Sequence, residues 1–264
     1  MQDECALKKA LNLSMLPADK SMVDRFQMAA DVGFRGMEVA PTSDPHEIRI
    51  LLGASEKAGI PIHSIIYGGW GKPLSSGDPE MGAKAVEDVK AGLQCAHDLG
   101  ADALLLVPAV VNAETRYVDA YERSQKRVKE LIPTAEKLGV VIAIENVWNN
   151  FLLSPLEFAR YVDEFKSPWV QAYFDVGNVI GAFGFSQDWI LTLGKRIKKI
   201  HLKDFKLDGR QWVNLGDGSV NWPEVRKALD TVGFKGFMTC ELQGGNEKYL
   251  RDVSARVDKI IAGG

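Results

Sequence analysis

Four polar residues stand directly behind short apolar runs in the second half of the chain. Glu145 follows "VVIAI", Asp175 follows "VQAYF", His201 follows "IKKI" and Glu241 follows "FMTC". One such acid by itself usually caps a helix or pairs with a lysine, and one such histidine is usually a hydrogen-bonded core residue. Three carboxylates that converge on one place repel each other unless a cation lies between them. If the fold brings the four side chains together, they predict a divalent-metal site.

The mixture of side chains also indicates which ion to expect. Oxygen-rich ligation with one imidazole suits Mn²⁺, Mg²⁺ or Co²⁺ better than a structural zinc site, which prefers thiolates and more histidine. We therefore expect one divalent ion, with Mn²⁺ first and Mg²⁺, Co²⁺ or Zn²⁺ as alternatives.

The elements that would position these residues alternate regularly along the chain between predicted strands and predicted helices. Eight short apolar runs predict strands, the first of them in "LNLSML", and the stretches between them have the three- and four-residue apolar spacing of helices. Several helical stretches end at a Gly that tolerates left-handed backbone: "DVGF", "KAGI", "DLGA", "KLGV" and "TVGF". Eight such units in 264 residues predict an α/β fold with a single domain over residues 1–264, a (β/α)8 TIM barrel. The alternative, an open doubly wound sheet, usually has a glycine-rich turn after its first strand, and "SMLPADKSMVD" has none.

In such a barrel the chemistry lies at the carboxyl ends of the strands. Lys203 lies two residues beyond His201, points to the same side of its strand, and is predicted to hold a substrate oxygen or phosphate, or a neighbouring carboxylate. The glycine-rich "GDGSVNW" could approach a phosphate with backbone N–H groups, but a turn with Asn221 capping the next helix is the favoured interpretation. Further candidates for contact with a bound substrate at this end are Glu38, His63, Trp70 and Trp148.

Composition and charge exclude several classes of protein. The chain has 46% hydrophobic and 25% charged residues and a net charge of −3, so neither nucleic acid nor an anionic membrane surface is an expected partner. The three cysteines, Cys5, Cys95 and Cys240, form no CxxC pair and are expected to be free thiols in a reducing compartment. The sequence shows no signal-peptide core or spanning segment, so a cytoplasmic protein is expected, with a removed leader as the alternative.

The quoted motifs also carry a family resemblance. The combination of "AIENVW", "YFDVGN", "KIHLKDFK", "GDGSVNW" and "TCEL" resembles the xylose isomerase-like barrel superfamily, in the sugar-phosphate isomerase and epimerase branch that includes the ketose 3-epimerases. The resemblance covers essentially the whole chain. It implies that Glu145, Asp175, His201 and Glu241 bind a divalent ion, often manganese, and barrels of this kind often form homodimers or homotetramers.

The resemblance further implies an activity on a small sugar. The chain would be an isomerase or epimerase of a ketose or ketose phosphate, with the ion polarising the carbonyl. Glu145 and Glu241 would lie on opposite faces of the sugar. One would remove the proton at carbon 3 to give a metal-stabilised enediolate, and the other would return a proton.

The sugar-contacting positions depart from the ketose 3-epimerase pattern. Asn178 stands where a histidine is usual, Phe151 replaces an acid, and Leu207 replaces an arginine, although Lys203 and Lys206 are close by. Asn178 and Lys206 are accordingly further candidates for contact with the substrate. The metal set matches the family better than the sugar-contacting set does.

Other functions stay open at this point. A metal-assisted dehydratase or lyase could use the same enediolate to expel a leaving group. An endonuclease of the apurinic type would need a basic groove and more than the four histidines present. A non-catalytic sugar-binding barrel is disfavoured by the presence of both Glu145 and Glu241.

Overall fold

Parallel strands form the centre of the molecule. The computed structural model describes residues 7–71, 73–182 and 184–263. Its strands are β1 Leu7–Asn12, β2 Met37–Val39, β3 Ile62–Gly68, β4 Ala103–Leu106, β5 Val141–Glu145, β6 Val170–Asp175, β7 Ile197–Leu202, β8 Asp204–Lys206, β9 Gln211–Val213 and β10 Gly236–Cys240. Eight of them close into a barrel in the order β1-β10-β7-β6-β5-β4-β3-β2. The predicted α/β fold, a TIM barrel, is confirmed.

Helices surround this barrel, and five of them end at the predicted glycine stops. They are α1 Met22–Asp31, α2 Pro45–Ala58, α3 Pro79–Asp98, α4 Tyr117–Leu138, α5 Pro155–Asp163, α6 Val176–Ala182, α7 Ser186–Leu193, α8 Trp222–Val232 and α9 Glu247–Ile261. The five predicted glycine stops all have positive φ, from 67° at Gly59 to 100° at Gly33. Asn221 caps α8 by accepting a hydrogen bond from the Glu224 N–H at 3.3 Å. Among the described helices, none has the length and apolar character needed to cross a membrane.

The first strand begins earlier than predicted. β1 starts at Leu7, whereas "LNLSML" begins at residue 11, and residues 13–15 form a short 3-10 helix. Lys8 and Lys9 interrupt the run of apolar residues by which this strand would be recognised in the sequence. The Lys9 ammonium leaves the barrel wall to pair with Asp258 of α9 at 2.6 Å. As a result Asn12, rather than a later residue, ends the strand at the carboxyl end of the barrel.

The core has two layers of different character. The larger apolar cluster lies between the strands and the helices, whereas the apolar cluster inside the barrel contains Ala103, Leu105, Ala143 and Tyr173. The two alanines leave space near the barrel axis for buried polar side chains, which include Glu38, His63, Lys199, His201 and Thr239. The interior of this barrel is therefore largely polar. Cys95 and Cys240 are buried free thiols, as expected, and Cys5 lies outside the described residues.

An antiparallel hairpin follows β7 and was not predicted. β8 pairs with β9, and the first residue of β8, Asp204, is fully buried. Its carboxylate accepts hydrogen bonds from the N–H groups of Gly216 at 2.8 Å, Gly218 at 3.3 Å and Val220 at 3.2 Å, and from Trp222 Nε1 at 3.0 Å. A Cβ at Gly218 would overlap this carboxylate. The N–H groups of the "GDGSVNW" loop are thus used inside the protein, which does not support the phosphate interpretation of the loop.

Replacement of Asp204 tests how much this anchor contributes. Asp204→Ala leaves three backbone N–H groups and an indole N–H without their acceptor, so we expect the free energy of unfolding to fall by about 3 kcal/mol. Urea unfolding followed by circular dichroism measures the change. Asp208→Ala, at an exposed position of the same hairpin, should change stability by less than about 0.5 kcal/mol. An equal effect of the two substitutions would contradict the anchoring role.

Candidate active site

The four predicted metal ligands meet at the carboxyl end of the barrel. Glu145 ends β5, Asp175 ends β6, His201 lies near the end of β7, and Glu241 directly follows β10. These strands are consecutive in the barrel, and one ligand atom from each residue lies within 4.8 Å of the others. The structure therefore brings together residues that are up to 96 positions apart in the chain.

His201 is held between carboxylates on both sides of its ring. Its Nδ1 lies 2.9 Å from Glu145 Oε1 and 3.1 Å from Glu241 Oε2, and its Nε2 lies 2.8 Å from Glu38 Oε1. Glu38 in turn accepts hydrogen bonds from the Tyr173 hydroxyl at 2.6 Å and from Asn12 Nδ2 at 3.0 Å. Because Glu38 is fully buried, it orients His201 and does not face a sugar. A carboxylate behind a histidine ligand commonly fixes its ring in this way.

Amide side chains hold Asp175. Asn146 Oδ1 accepts the Asp175 N–H at 2.8 Å, while Asn146 Nδ2 donates to the Asp175 carbonyl at 2.9 Å. The Asn178 N–H donates to Asp175 Oδ1 at 2.8 Å, and Asn178 Nδ2 donates to the Asn146 carbonyl at 2.9 Å. Asn178 therefore supports the site from behind, with its side-chain amide bonded to the backbone of Asn146. The other carboxylate oxygen, Asp175 Oδ2, is buried and has an ionic contact to Lys203 Nζ at 3.1 Å.

The ammonium of Lys203 lies directly against this cluster. It is 3.1 Å from Asp175 Oδ2 and 2.6 Å from Glu241 Oε2. Gly177 allows this approach, because a Cβ there would collide with the backbone of Lys203. The predicted position of Lys203 at the site agrees with this geometry.

The surroundings shift the pKa values of the two glutamates at the ends of the set, Glu145 and Glu241, in opposite directions. Burial raises the pKa of Glu145 to about 7. Burial alone would also raise the pKa of Glu241, but His201 and Lys203 outweigh it and lower the pKa to about 2. Burial would lower the pKa of His201, yet the groups around it, Tyr173, Glu38 and Glu241, raise this pKa well above its ordinary value. Two carboxylates on one centre are thus made chemically different by their surroundings.

This donor set fits a divalent ion. Three carboxylates and one imidazole converge, and the second ring nitrogen of His201 is already engaged by Glu38. Asp175 Oδ2 is buried and forms an ion pair with Lys203. Oxygen ligands with a single imidazole suit Mn²⁺, Mg²⁺ and Co²⁺. A divalent-metal site at Glu145, Asp175, His201 and Glu241 is therefore plausible on the chemistry of the residues themselves.

A cavity of about 640 Å³ opens above the cluster. Glu241, with its side chain 27% exposed, lies at its floor, and Glu145, Asp175 and His201 are buried beneath. Trp148 lies beside the cavity, where its Nε1 donates to the Asn178 carbonyl at 2.9 Å and its ring stacks on Trp212. The residues that line the cavity are Ser14, Lys203, Trp212, Val213, Asn214, Glu241, Leu242, Gln243 and Tyr249.

Besides Glu38 and Asn178, three more of the predicted substrate contacts do not line this cavity. His63 lies near the start of β3 with its ring stacked on Phe237, close to the amino-terminal end of the barrel. Trp70 is 49% exposed in the loop after β3, and Lys206 is exposed on the hairpin opposite Gln211. Neither lines the cavity. For His63, the position within its strand matters: a residue near the beginning of a barrel strand lies far from the carboxyl end.

Other residues of the site were missed from the sequence. Tyr173 lies two residues before Asp175, so the alternation of a strand could have placed it on the same inner face. Asn12 was hidden by the misplaced first strand. Trp212 lies on the unpredicted hairpin, and no pattern in the sequence marks it.

The family model for the xylose isomerase-like TIM barrel matches residues 26–259. The chain belongs to this family. The L-ribulose-5-phosphate 3-epimerase UlaE of Escherichia coli O1:K1 is 26% identical over 233 residues, which cover 84% of this chain and 82% of that enzyme. The UlaE protein of strain K12 has the same identity and coverage. The suspected family is thereby confirmed, and the expectation of an enzyme is confirmed with it.

Solved structures show the same fold at lower sequence identity. The apo 3-keto-D-glucoside 4-epimerase YcjR of E. coli superimposes with a TM-score of 0.82 at 14% identity, covering 96% of this chain and 99% of that chain. A D-allulose 3-epimerase of Methylomonas sp. in complex with D-allulose gives a TM-score of 0.82 at 18% identity, with 96% of each chain covered. The barrel described above is therefore a common framework of sugar epimerases.

Metal binding can be tested through stability. Addition of Mn²⁺ to chelator-treated protein should raise its melting temperature, because an ion that binds the folded chain at a hundredfold excess over Kd stabilises it by about 2.7 kcal/mol. Scanning fluorimetry with each candidate ion and elemental analysis measure this gain and the stoichiometry. Asp175→Asn should lose most of the gain, whereas Asp208→Asn should retain it. An equal gain in both variants would contradict the assigned ligands.

The raised pKa of Glu145 predicts a pH dependence for the metal-free chain. A folded-state pKa of about 7, above the ordinary 4.5, stabilises the fold below pH 4.5, and this contribution is lost as the pH rises through 7. Relative to Glu145→Gln, the wild type should lose up to roughly 3 kcal/mol between pH 4.5 and pH 8. Urea unfolding of both proteins in chelator at the two pH values gives the difference. A difference that does not change with pH would show that Glu145 is not held in a desolvated state.

Proposed function

We propose that this protein is a divalent-metal-dependent epimerase or isomerase of a ketose, acting by proton transfer at the carbon next to the carbonyl. The observation that carries this proposal is the position of two glutamates on either side of the Asp175–His201 pair. Glu145 comes from β5 and Glu241 from the end of β10, so the two carboxylates approach the centre from opposite sides of β6 and β7.

The reaction divides between the ion and the protein. A bound divalent ion, Mn²⁺ in our proposal, would be held by Glu145, Asp175, His201 and Glu241, and would supply Lewis acidity that polarises the ketose carbonyl and acidifies the adjacent C–H. Epimerisation then needs one group to remove a proton and another to return it on the opposite face. Glu145 and Glu241 are the carboxylates placed for these two steps.

The remaining residues orient the substrate and the acids. Lys203 bridges Asp175 and Glu241 at the floor of the cavity, where its ammonium can donate to a sugar oxygen. Glu38 fixes the His201 ring through Nε2. Water has limited access to Glu145, which is 5% exposed.

The comparisons support this choice of chemistry. The curated relatives at 26% identity are named as ketose-phosphate 3-epimerases, and structures with the same fold include 3-epimerases of D-allulose and of L-ribulose. The same proposal includes a small-molecule sugar as substrate, a cytoplasmic location, a single functional domain over residues 1–264, and a homodimer or homotetramer.

Proton exchange tests the proposal directly. The Mn²⁺-loaded protein, incubated in D₂O with a panel of ketoses and ketose phosphates, should incorporate deuterium at carbon 3 and form the epimer, as followed by NMR. Glu145→Gln and Glu241→Gln should each lower the rate of epimer formation by about 10²- to 10⁴-fold, with metal content measured in parallel.

The products separate the alternatives. Loss of water from the sugar, seen as a smaller product mass, would indicate a dehydratase and contradict epimerisation. Absence of exchange in every sugar by protein with a full complement of metal would contradict the proposed function. Asp208→Asn serves as the control for nonspecific effects of removing a carboxylate.

A further inference from the structure

The lining of the cavity is polar but carries little free charge. Ser14, Asn214, Gln243 and Tyr249 offer neutral hydrogen-bonding groups, and Lys203 is the one cation among the lining residues that the structure describes. Its ammonium already contacts the carboxylates of Asp175 and Glu241. No arginine is found among these lining residues. Neutral donors and acceptors suit hydroxyl groups, whereas a phosphate needs positive charge or several converging N–H groups.

Several backbone N–H groups near the cavity that could otherwise hold a phosphate are engaged within the protein. The N–H groups of Gly216, Gly218 and Val220 donate to Asp204. At the start of α9, the Gly245 N–H donates to the Met15 carbonyl at 3.1 Å, and the Tyr249 N–H donates to Asn246 Oδ1 at 3.0 Å. The first residue of α9 is Glu247, whose negative charge lies at the helix end that an anion would otherwise favour.

An aromatic wall stands on one side of the same cavity. Trp212 stacks on Trp148 with ring centroids 5.1 Å apart and an interplanar angle of 26°, and Phe205 meets its ring edge-on at 5.0 Å. Gly181 makes room for Trp148, because a Cβ there would overlap the indole. With two sides held in this way, Trp212 remains 46% exposed and lines the cavity. The Lys203 ammonium lies 5.6 Å from its ring centroid, which places the wall next to the reacting end of the site.

We propose that the site takes an unphosphorylated sugar, and that Trp212 determines specificity by packing against the apolar C–H face of that sugar. Aromatic rings suit such a face because they offer a large apolar surface, while Ser14, Asn214 and Gln243 pair with hydroxyl groups. A phosphate in this cavity would be desolvated without a free cation, among the described part of the lining, to compensate it. This inference rests on the proposed function. It gives this chain an uncharged substrate, whereas its curated relatives are named for a phosphorylated one.

Binding experiments test this independently of turnover. Calorimetric titration of the Mn²⁺-loaded protein with D-allulose, L-ribulose and L-ribulose 5-phosphate should show at least one of the two uncharged ketoses binding about tenfold or more tightly than the phosphate. Trp212→Ala should weaken that binding about tenfold, and Trp212→Phe should retain it within about threefold. Phe185→Ala removes another exposed aromatic ring, which does not line the cavity, and should bind like the wild type.

The outcomes separate this inference from the proposed function. Equal or tighter binding of L-ribulose 5-phosphate, no measurable binding of either uncharged ketose, or equal behaviour of Trp212→Ala and Phe185→Ala would overturn it. Preferential binding of an uncharged ketose without any proton exchange would support the substrate class and contradict epimerisation. Exchange confined to the phosphate would support epimerisation and overturn the substrate class.

Discussion

The imidazole of His201 between buried carboxylates is the interaction on which the rest of the site depends. Ionised carboxylates buried together are unfavourable unless positive charge and hydrogen bonds compensate them. His201 contacts Glu38 through one nitrogen and Glu145 and Glu241 through the other. Lys203 adds a second positive charge on the side of the cavity. The barrel supplies the space for this arrangement because small residues, Ala103 and Ala143, occupy part of its interior.

The hairpin after β7 connects this electrostatic centre with the cavity above it. Lys203 lies between His201 at the end of β7 and Asp204 at the start of β8, so one short segment contributes to three tasks. His201 faces the cluster, Lys203 bridges two of its acids, and Asp204 fixes the following loop. The hairpin then returns along β9 and places Trp212 over the site. The same segment of chain therefore positions His201 and Lys203 in the cluster and Trp212 beside the cavity.

Much of this arrangement follows from the sequence, for identifiable reasons. The apolar runs and glycine stops predict the barrel, and the rule that barrel chemistry lies at the carboxyl ends of strands is enough to bring Glu145, Asp175, His201 and Glu241 together. The rule fails for His63, because a strand residue near the amino-terminal end satisfies the same apolar pattern. It also fails for Asn12, because Lys8 and Lys9 interrupt the hydrophobic signal of β1. Trp212 could not be predicted, since its place depends on tertiary contacts with Trp148 and Phe205.

The polar interior of the barrel links its two ends. From His63, Nε2 lies 3.1 Å from the Thr239 hydroxyl, which lies 3.3 Å from the hydroxyl of Tyr173. Tyr173 donates to Glu38, and Glu38 contacts His201. The usual separation of a barrel into a stabilising end and a reactive end does not hold along this line of side chains. Changes among the interior residues at the far end would alter the orientation of the His201 imidazole, so the same side chains affect both the stability of the barrel and the geometry of the candidate site.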